Sequence, residues 1–178
     1  MNAPMLTKSV TRLATAADIP AISALHARVF GPGRFTRSAY RVREGNGLLS
    51  RFCRVVEVGG HVVAAVRITE ITVGGAAGAA LLGPIAVHPD WRNHGYGQTL
   101  INDAVDDLKN SGVHLVVLVG DESYYGRCGF KTTPPGQITF PGPVSPTRIL
   151  ATELTPDALA RYCGVIAAAS AGAGAVTG

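Results

Sequence analysis

Arg92-Asn93-His94-Gly95-Tyr96-Gly97 lies between an apolar run and a helical pattern, and one arginine and two glycines at this spacing can do chemistry. The start of a helix leaves about four backbone N–H groups without partners, and the helix macrodipole adds positive potential there. Two glycines let the main chain turn tightly, so those N–H groups can converge on an anion unobstructed. The segment is a candidate phosphate cradle. It lacks the lysine and hydroxyl of GxxxxGK[ST], which favours a diphosphate held by backbone over a hydrolysed γ-phosphate. The bare RxxGxG pattern fits a glycine-rich turn capping a helix as well.

A second segment, Tyr124-Tyr125-Gly126-Arg127-Cys128-Gly129-Phe130, places two phenols side by side. A phenol has a reference pKa of roughly 10 and is a proton donor at neutral pH, although two interior aromatics of a short helix would read the same way. Glu70 and His88 are candidate general bases, each with a structural role as the alternative. Cys128 has no histidine partner by spacing, and packing is its expected role.

These residues need elements to hold them. Ile19, Ile22, Leu25, Val29 and Phe30 recur at helical spacing, which predicts a helix over 15–30 with Thr15 or Asp18 as its cap. A shorter helix is expected over 36–43, with Arg37 and Arg41 one turn apart on a single face. Cys53 to Val58 and His61 to Val73 flank Gly59-Gly60, a hairpin signal of the primed type. A turn over 74–78 leads into a third strand, 79–87, making a meander. Gly83-Pro84 in its middle predicts a bulge or sheet edge. Leu100, Ile101, Ala104, Val105 and Leu108 give the helix after the loop its buried stripe, and Val113 to Val119 is a strand covered on both faces. Strand, helix and strand at this spacing form a crossover with parallel strands. A short helix over 122–128 and strands over 138–140 and 148–154 complete the expected order. The alanine- and glycine-rich segment 167–178 is expected to be a frayed tail. Its Gly172-x-Gly174 has neither the preceding strand nor the following unit of a dinucleotide site.

Composition bounds the rest. A chain of 178 residues with 47% hydrophobic and 16% charged residues and a mean hydropathy of +0.23 has room for one domain and is too apolar for disorder. Its apolar runs are too short to span a membrane as a helix. Met1 to Val10 has no apolar core of a secretory signal, and Cys53, Cys128 and Cys163 are odd in number without CxxC spacing, so a reduced cytoplasm and no metal are expected. Net charge is +4, and only three of the 16 basic residues are lysine. Arg34, Arg37, Arg41, Arg43, Arg51 and Arg54 cluster in one segment, which suggests an acidic partner. Few aromatics accompany them, so nucleic acid is not expected to be that partner.

Leu82-Gly83-Pro84-Ile85-Ala86-Val87-His88-Pro89-x-Trp91-Arg92-x-x-Gly95-x-Gly97, followed by helix, strand and the Tyr-Tyr-Gly-Arg-Cys-Gly-Phe segment, resembles the core of the GNAT acetyltransferase superfamily. The match covers residues 82–130, and the order of elements extends it to about 10–155. The short Gly-Asp-x-x-Tyr-Tyr-Gly-Arg form resembles a bacterial subgroup. The resemblance implies an α+β fold (mixed α/β) with a mostly antiparallel sheet of about six to seven strands. A central parallel pair would splay at a bulge, with about four helices around the sheet, in one domain over 1–166.

It further implies an acetyl-CoA-dependent N-acetyltransferase acting on a primary amine of a small molecule or peptide, as a monomer or homodimer. A non-catalytic acyl-CoA-binding module is the alternative. By the same resemblance, Ile85, Ala86 and Val87 would run beside the pantetheine arm, and the backbone of Arg92, Asn93, His94, Gly95, Tyr96, Gly97 and Gln98 would hold the pyrophosphate. Tyr125 would protonate the departing thiolate, leaving Tyr124 to packing or the acceptor site. Where many members carry a pantetheine-binding asparagine, this chain has Gly120-Asp121-Glu122. Asp121, Glu122 or a backbone group would replace that contact, or one of the carboxylates would help deprotonate the amine.

Overall fold

The computed structural model describes residues 8–32, 38–43, 47 and 49–169. Strand β1 (Ser9–Leu13) leads through a tight helical turn at Ala16–Asp18 into α1 (Ile19–Phe30). The Thr15 N–H donates to Asp18 Oδ2 at 2.7 Å, and Pro20 occupies the first turn, where a missing N–H costs little. Helix α2 (Ser38–Arg43) follows; Arg34, Arg37 and the expected start at Thr36 lie outside the described residues.

The meander is β2 (Arg54–Val58), β3 (His61–Val73) and β4 (Ala76–Val87), in antiparallel register. Strand β4 begins three residues ahead of the expected Ala79, because Gly74-Gly75 alone makes the turn, both at positive φ. The chain continues through α3 (Tyr96–Asn110), β5 (Leu115–Val119) and α4 (Glu122–Tyr125), the last extended by a helical turn at Gly126–Cys128. Strands β6 (Lys131–Thr132), β7 (Ile138–Thr139), β8 (Ile149–Glu153) and β9 (Gly164–Ala168) complete the described chain.

Among the described residues the sheet has nine strands, in the order β1-β2-β3-β4-β5-β8-β6, with β9 pairing β3 and β7. It is mostly antiparallel, and the central pair β4 and β5 is parallel as expected. The sequence does not flag β1 or β9. Strand β1 is a largely polar edge, and β9 uses an edge that the sequence cannot display: β2 pairs β3 only over 61–66, which leaves Ile71–Val73 to pair with Ile166–Ala168. Ala167 and Ala168, expected to fray, therefore lie in the sheet, and the Ala169 N–H donates to Glu70 O at 2.9 Å. Residues 170–178 lie outside the described residues.

Alternation along β3 divides the core. Ala64, Val66 and Ile68 join Leu100, Ile101, Ala104 and Leu108 of α3 and Phe130 on one face. On the other, Ala65 packs with Ile22 and Leu25 of α1, while Ile71 and Val73 pack with Val42 of α2, Leu81 and Val117. The stripe of α3 reads directly from its spacing, and its four core side chains have no exposed surface. Full burial of each large side chain is worth roughly 1.5–3 kcal/mol. Among the described residues no helix is long and apolar enough to cross a membrane.

Candidate active site

The site begins where the central sheet comes apart. Strand β4 pairs with β5 only at Ala79–Leu81 with Leu115–Val117, while its other edge stays on β3 as far as Val87. The register between β3 and β4 slips between Val66/Ile85 and Ile68/Leu82, which leaves one extra residue in β4 at Gly83-Pro84, as the sequence predicts. Strand β5 meanwhile continues with β8 to Val119. A wedge therefore opens between β4 and β5, and the β4 edge from Leu82 to Val87 lines it. The His88 N–H donates back to Val63 O at 2.8 Å, so alternation turns the N–H and C=O of Val87 and Ile85 toward the wedge. The N–H and C=O of Ala86 point to β3 instead, and its side chain packs in the α1 core cluster.

At the end of β4 the chain makes a helical turn at Pro89–Trp91, passes through extended Arg92, and takes left-handed conformations at Asn93 (φ 64°) and Gly95 (φ 77°). Helix α3 then starts without any side-chain cap. The first of its N–H groups to reach a carbonyl of that helix end is that of Thr99, which donates to Gly95 O at 3.0 Å; those of Tyr96, Gly97 and Gln98 precede the first complete turn. His94 Nδ1 sits 2.8 Å from Arg92 O and 3.0 Å from Trp91 O, and its ring stacks on Tyr96 at 5.6 Å. The side chains of His94 and Tyr96 thus brace the loop while its backbone remains available. Arg92 and Asn93 are exposed, and Gln98 is half-buried.

The two tyrosines part company. A Cβ on Gly97 would lie 2.8 Å from Tyr124 Oη, so the Tyr124 phenol leans on the first turn of α3. Tyr125 lies beyond the end of β5, where Gly120 must lack a side chain because a Cβ would come within 2.3 Å of its ring. It makes edge contacts with Tyr124 at 4.9 Å and Phe130 at 6.3 Å. Burial is the largest influence on the Tyr125 hydroxyl and pushes it up to about 12. No local pattern announces the approach of Tyr124 to Gly97, since the two are far apart in sequence.

The remaining candidates are mostly tied elsewhere. Glu122 accepts from both the N–H and the hydroxyl of Thr132, bonds that hold its carboxyl below the usual range. Asp121 O accepts from the N–H groups of Tyr124 and Tyr125, and its carboxylate lies 3.4 Å from Arg148. Glu70 pairs with Arg51 at 3.2 Å, and His88 Nδ1 accepts from the Asp90 N–H. Burial raises the Cys128 thiol, the reverse of what a nucleophile needs. Among the described residues no group of three or more His, Cys, Asp or Glu could hold a metal ion.

The chain thus presents a cleft edged by an unpaired strand, with a bare helix start at one end and a phenol beyond β5. The model of the Acetyltransferase (GNAT) family matches residues 19–130. The chain belongs to that family. GNAT enzymes are acetyl-CoA-dependent acyltransferases. Among GNAT relatives, this chain is 27% identical over 153 residues to the uncharacterized N-acetyltransferase YhbS of Escherichia coli K12, covering 84% of this chain and 89% of the relative. It is similar in structure to E. coli YhbS crystallised with CoA, with a TM-score of 0.79, 24% identity and coverage of 95% and 94% of the two chains. A GNAT acetyltransferase from Brucella melitensis, crystallised with acetyl-CoA, superposes with a TM-score of 0.70 at 24% identity, over 92% and 97%. The GNAT architecture thus extends beyond the matched core to the N- and C-terminal strands.

The arginine cluster of the sequence does not form one patch among the described residues. Arg54 pairs with Asp107 at 2.6 Å and lies 3.9 Å from Asp103, and Arg51 is held by Glu70. Arg41 is exposed, whereas Arg43 is buried.

Proposed function

We propose that the protein moves the acetyl group of acetyl-CoA to a primary amine by direct attack within a ternary complex. The pantetheine arm lies along the wedge edge of β4 and exchanges sheet-like hydrogen bonds with Ile85 and Val87, with Ala86 between them. The pyrophosphate rests on the backbone of Arg92, Asn93, His94, Gly95, Tyr96, Gly97 and Gln98, at the positive end of α3. The observation that carries this reading is the loss of the β5 partner from Leu82 onward, while β4 keeps its β3 partner to Val87. It leaves polar backbone groups that a linear amide-bearing ligand can satisfy. The CoA and acetyl-CoA complexes of the two structural relatives support it.

In the reaction the amine lone pair forms a bond to the thioester carbonyl carbon, and collapse of the tetrahedral intermediate breaks the carbon–sulfur bond. Tyr125 donates its phenolic proton to the departing sulfur and regains one from solvent. The amine releases its surplus proton to water. Burial keeps the phenol protonated, so it can donate as charge develops on sulfur. Tyr124 lines the pyrophosphate end, consistent with its contact at Gly97.

The test is thiol release from acetyl-CoA across a panel of amines with wild type and Tyr125→Phe. Turnover above background in the wild type, with lower kcat and unchanged acetyl-CoA affinity in the variant, is expected. Full turnover of Tyr125→Phe under conditions where chemistry limits the rate would remove the acid assignment.

A further inference from the structure

Two arginines on the α1 and α2 face have no acid partner among the described residues. Arg43 and Arg67 are 5% and 7% exposed, and neither forms an ion pair with a described residue. Arg43 Nη2 donates to Gly83 O, in the bulge itself, while its Nε is buried without a partner. Arg67 Nη2 donates to Gly47 O at 2.9 Å. A guanidinium has five N–H donors, so two carbonyls leave most of the donors here unmet by described residues. The other buried or half-buried arginines differ: Arg12 has Asp18 and Glu57, and Arg54 has Asp107. Removing an ion from water without a counter-ion costs several kcal/mol, and a second like charge adds to it.

The position of the pair suggests a use for that charge. The β3–β4 register steps from Val66/Ile85 to Ile68/Leu82, which sets Arg67 opposite Gly83-Pro84. From the cradle at 92–98, a pantetheine passing Val87 and then Ile85 ends beside this bulge. Tyr125 packs against the α3 face, whereas Arg67, by its parity with Ala65 and Ile71, belongs to the opposite one.

We infer that Arg43 and Arg67 receive an anionic oxygen group, carboxylate or phosphate, carried by the acceptor amine. The inference rests on the acetyl-transfer reading and names its substrate class. The acceptor approaches the thioester from the α1 and α2 side with its anion on the guanidinium pair, while the thiolate is protonated from the α3 side. Two planar forks suit such a group better than a neutral amide, and binding an acceptor at both its ends orients the amine for attack. Burial, with a smaller push from the like charge of Arg67, brings the Arg43 guanidinium down to about 9, where it is still charged at neutral pH.

The test compares amino acids with their α-amides, and aminoalkyl phosphates with the corresponding amino alcohols, as acceptors for the full-length protein and acetyl-CoA. The best anionic amine is expected to exceed its neutral counterpart at least tenfold in kcat/KM, chiefly through KM; whether carboxylate or phosphate wins identifies the group. Arg67→Gln should remove that ratio and leave acetyl-CoA affinity unchanged, and Arg67→Lys should restore part of it. Neutral amines that serve equally well overturn the inference but leave acetyl transfer standing, and this wild-type result decides even if Arg67→Gln does not fold. If no amine releases thiol, the transfer reading fails, and the pair is judged by binding alone. Acetate or inorganic phosphate should then raise the unfolding midpoint of the wild type more than that of Arg67→Gln, and equal or absent shifts overturn the inference.

Discussion

At the head of α3 the positive potential comes from N–H groups that carry no formal charge, on a loop largely open to solvent. Beside the β4 bulge it comes from two guanidinium ions nearly removed from water. The first region needs no counter-ion when empty, because water can solvate it. The second has two carbonyl acceptors and, for Arg43, the face of the Tyr40 ring at 5.8 Å among the described residues, and water reaches it poorly. A backbone cradle suits a cofactor that comes and goes at each turnover. A buried charged pair suits selection, since it rejects whatever cannot neutralise it. Arg12 shows how this protein treats a structural arginine: Asp18 binds it at 2.8 Å and Glu57 at 3.0 Å.

The sharpest probe of this division lies between the two regions. Tyr125→Phe should lower kcat by about 100-fold or more, the usual share of a general acid, while acetyl-CoA binding measured by calorimetry stays unchanged. Equal losses in binding and turnover would instead make Tyr125 part of the cofactor site. Next in size, Gly97→Val drives a side chain toward Tyr124 Oη and Val87, and should weaken acetyl-CoA binding about 10- to 100-fold, or roughly 1.4–2.8 kcal/mol. The same variant should keep the selectivity between anionic and neutral amines; if it loses that preference, the two regions are not independent.

A smaller effect concerns the arginine that is paired. Bonds from Arg12 hold the Asp18 carboxyl at about 2, down from 3.8. A depressed folded-state pKa stabilises the fold above the unfolded value and loses that contribution as the pH falls toward 2. Asp18→Asn should therefore cost about 1–2 kcal/mol at pH 7 and progressively less between pH 4 and 2, measured by urea unfolding. A pH-independent loss would show that the contact is packing, not charge. Smallest of all, Arg92→Gln should change acetyl-CoA affinity by no more than about threefold, because an exposed guanidinium adds little to a site made of backbone. A tenfold loss would make the cradle depend on side-chain charge. Finally, under the proposed acid role of Tyr125 its protonated form is the active one, and with its hydroxyl near 12 no alkaline loss of kcat is expected up to about pH 10.

The loop and helix start at 92–98 were legible because their signal is local. Glycines at 95 and 97 ahead of an amphipathic stripe specify a tight turn and a helix start wherever they occur. The bulge was legible for the same reason, since proline removes a ladder donor at its own position. Strand β9 was not, because Val165 and Ile166 are a run of only two strand formers among glycine and alanine, and the pairing depends on an edge of β3 that β2 happens to leave free. Nor were the two tyrosines separable: they are adjacent in the chain, and only the fold brings Tyr124 to Gly97 while Tyr125 lies over Gly120. The arginines misled in the opposite way, since a run in sequence resolves in space into separate environments.

The sequence by itself determined the order of elements from α1 to α4, the loop that starts α3 and the family, because turn chemistry and hydrophobic period act over a few residues. Only the tertiary structure decided which arginines are neutralised. That depends on which carboxylates the fold brings within about 4 Å, and neither the pairing of Arg12 with Glu57 nor the lack of an acid partner for Arg43 and Arg67 among the described residues is encoded in any short stretch of chain.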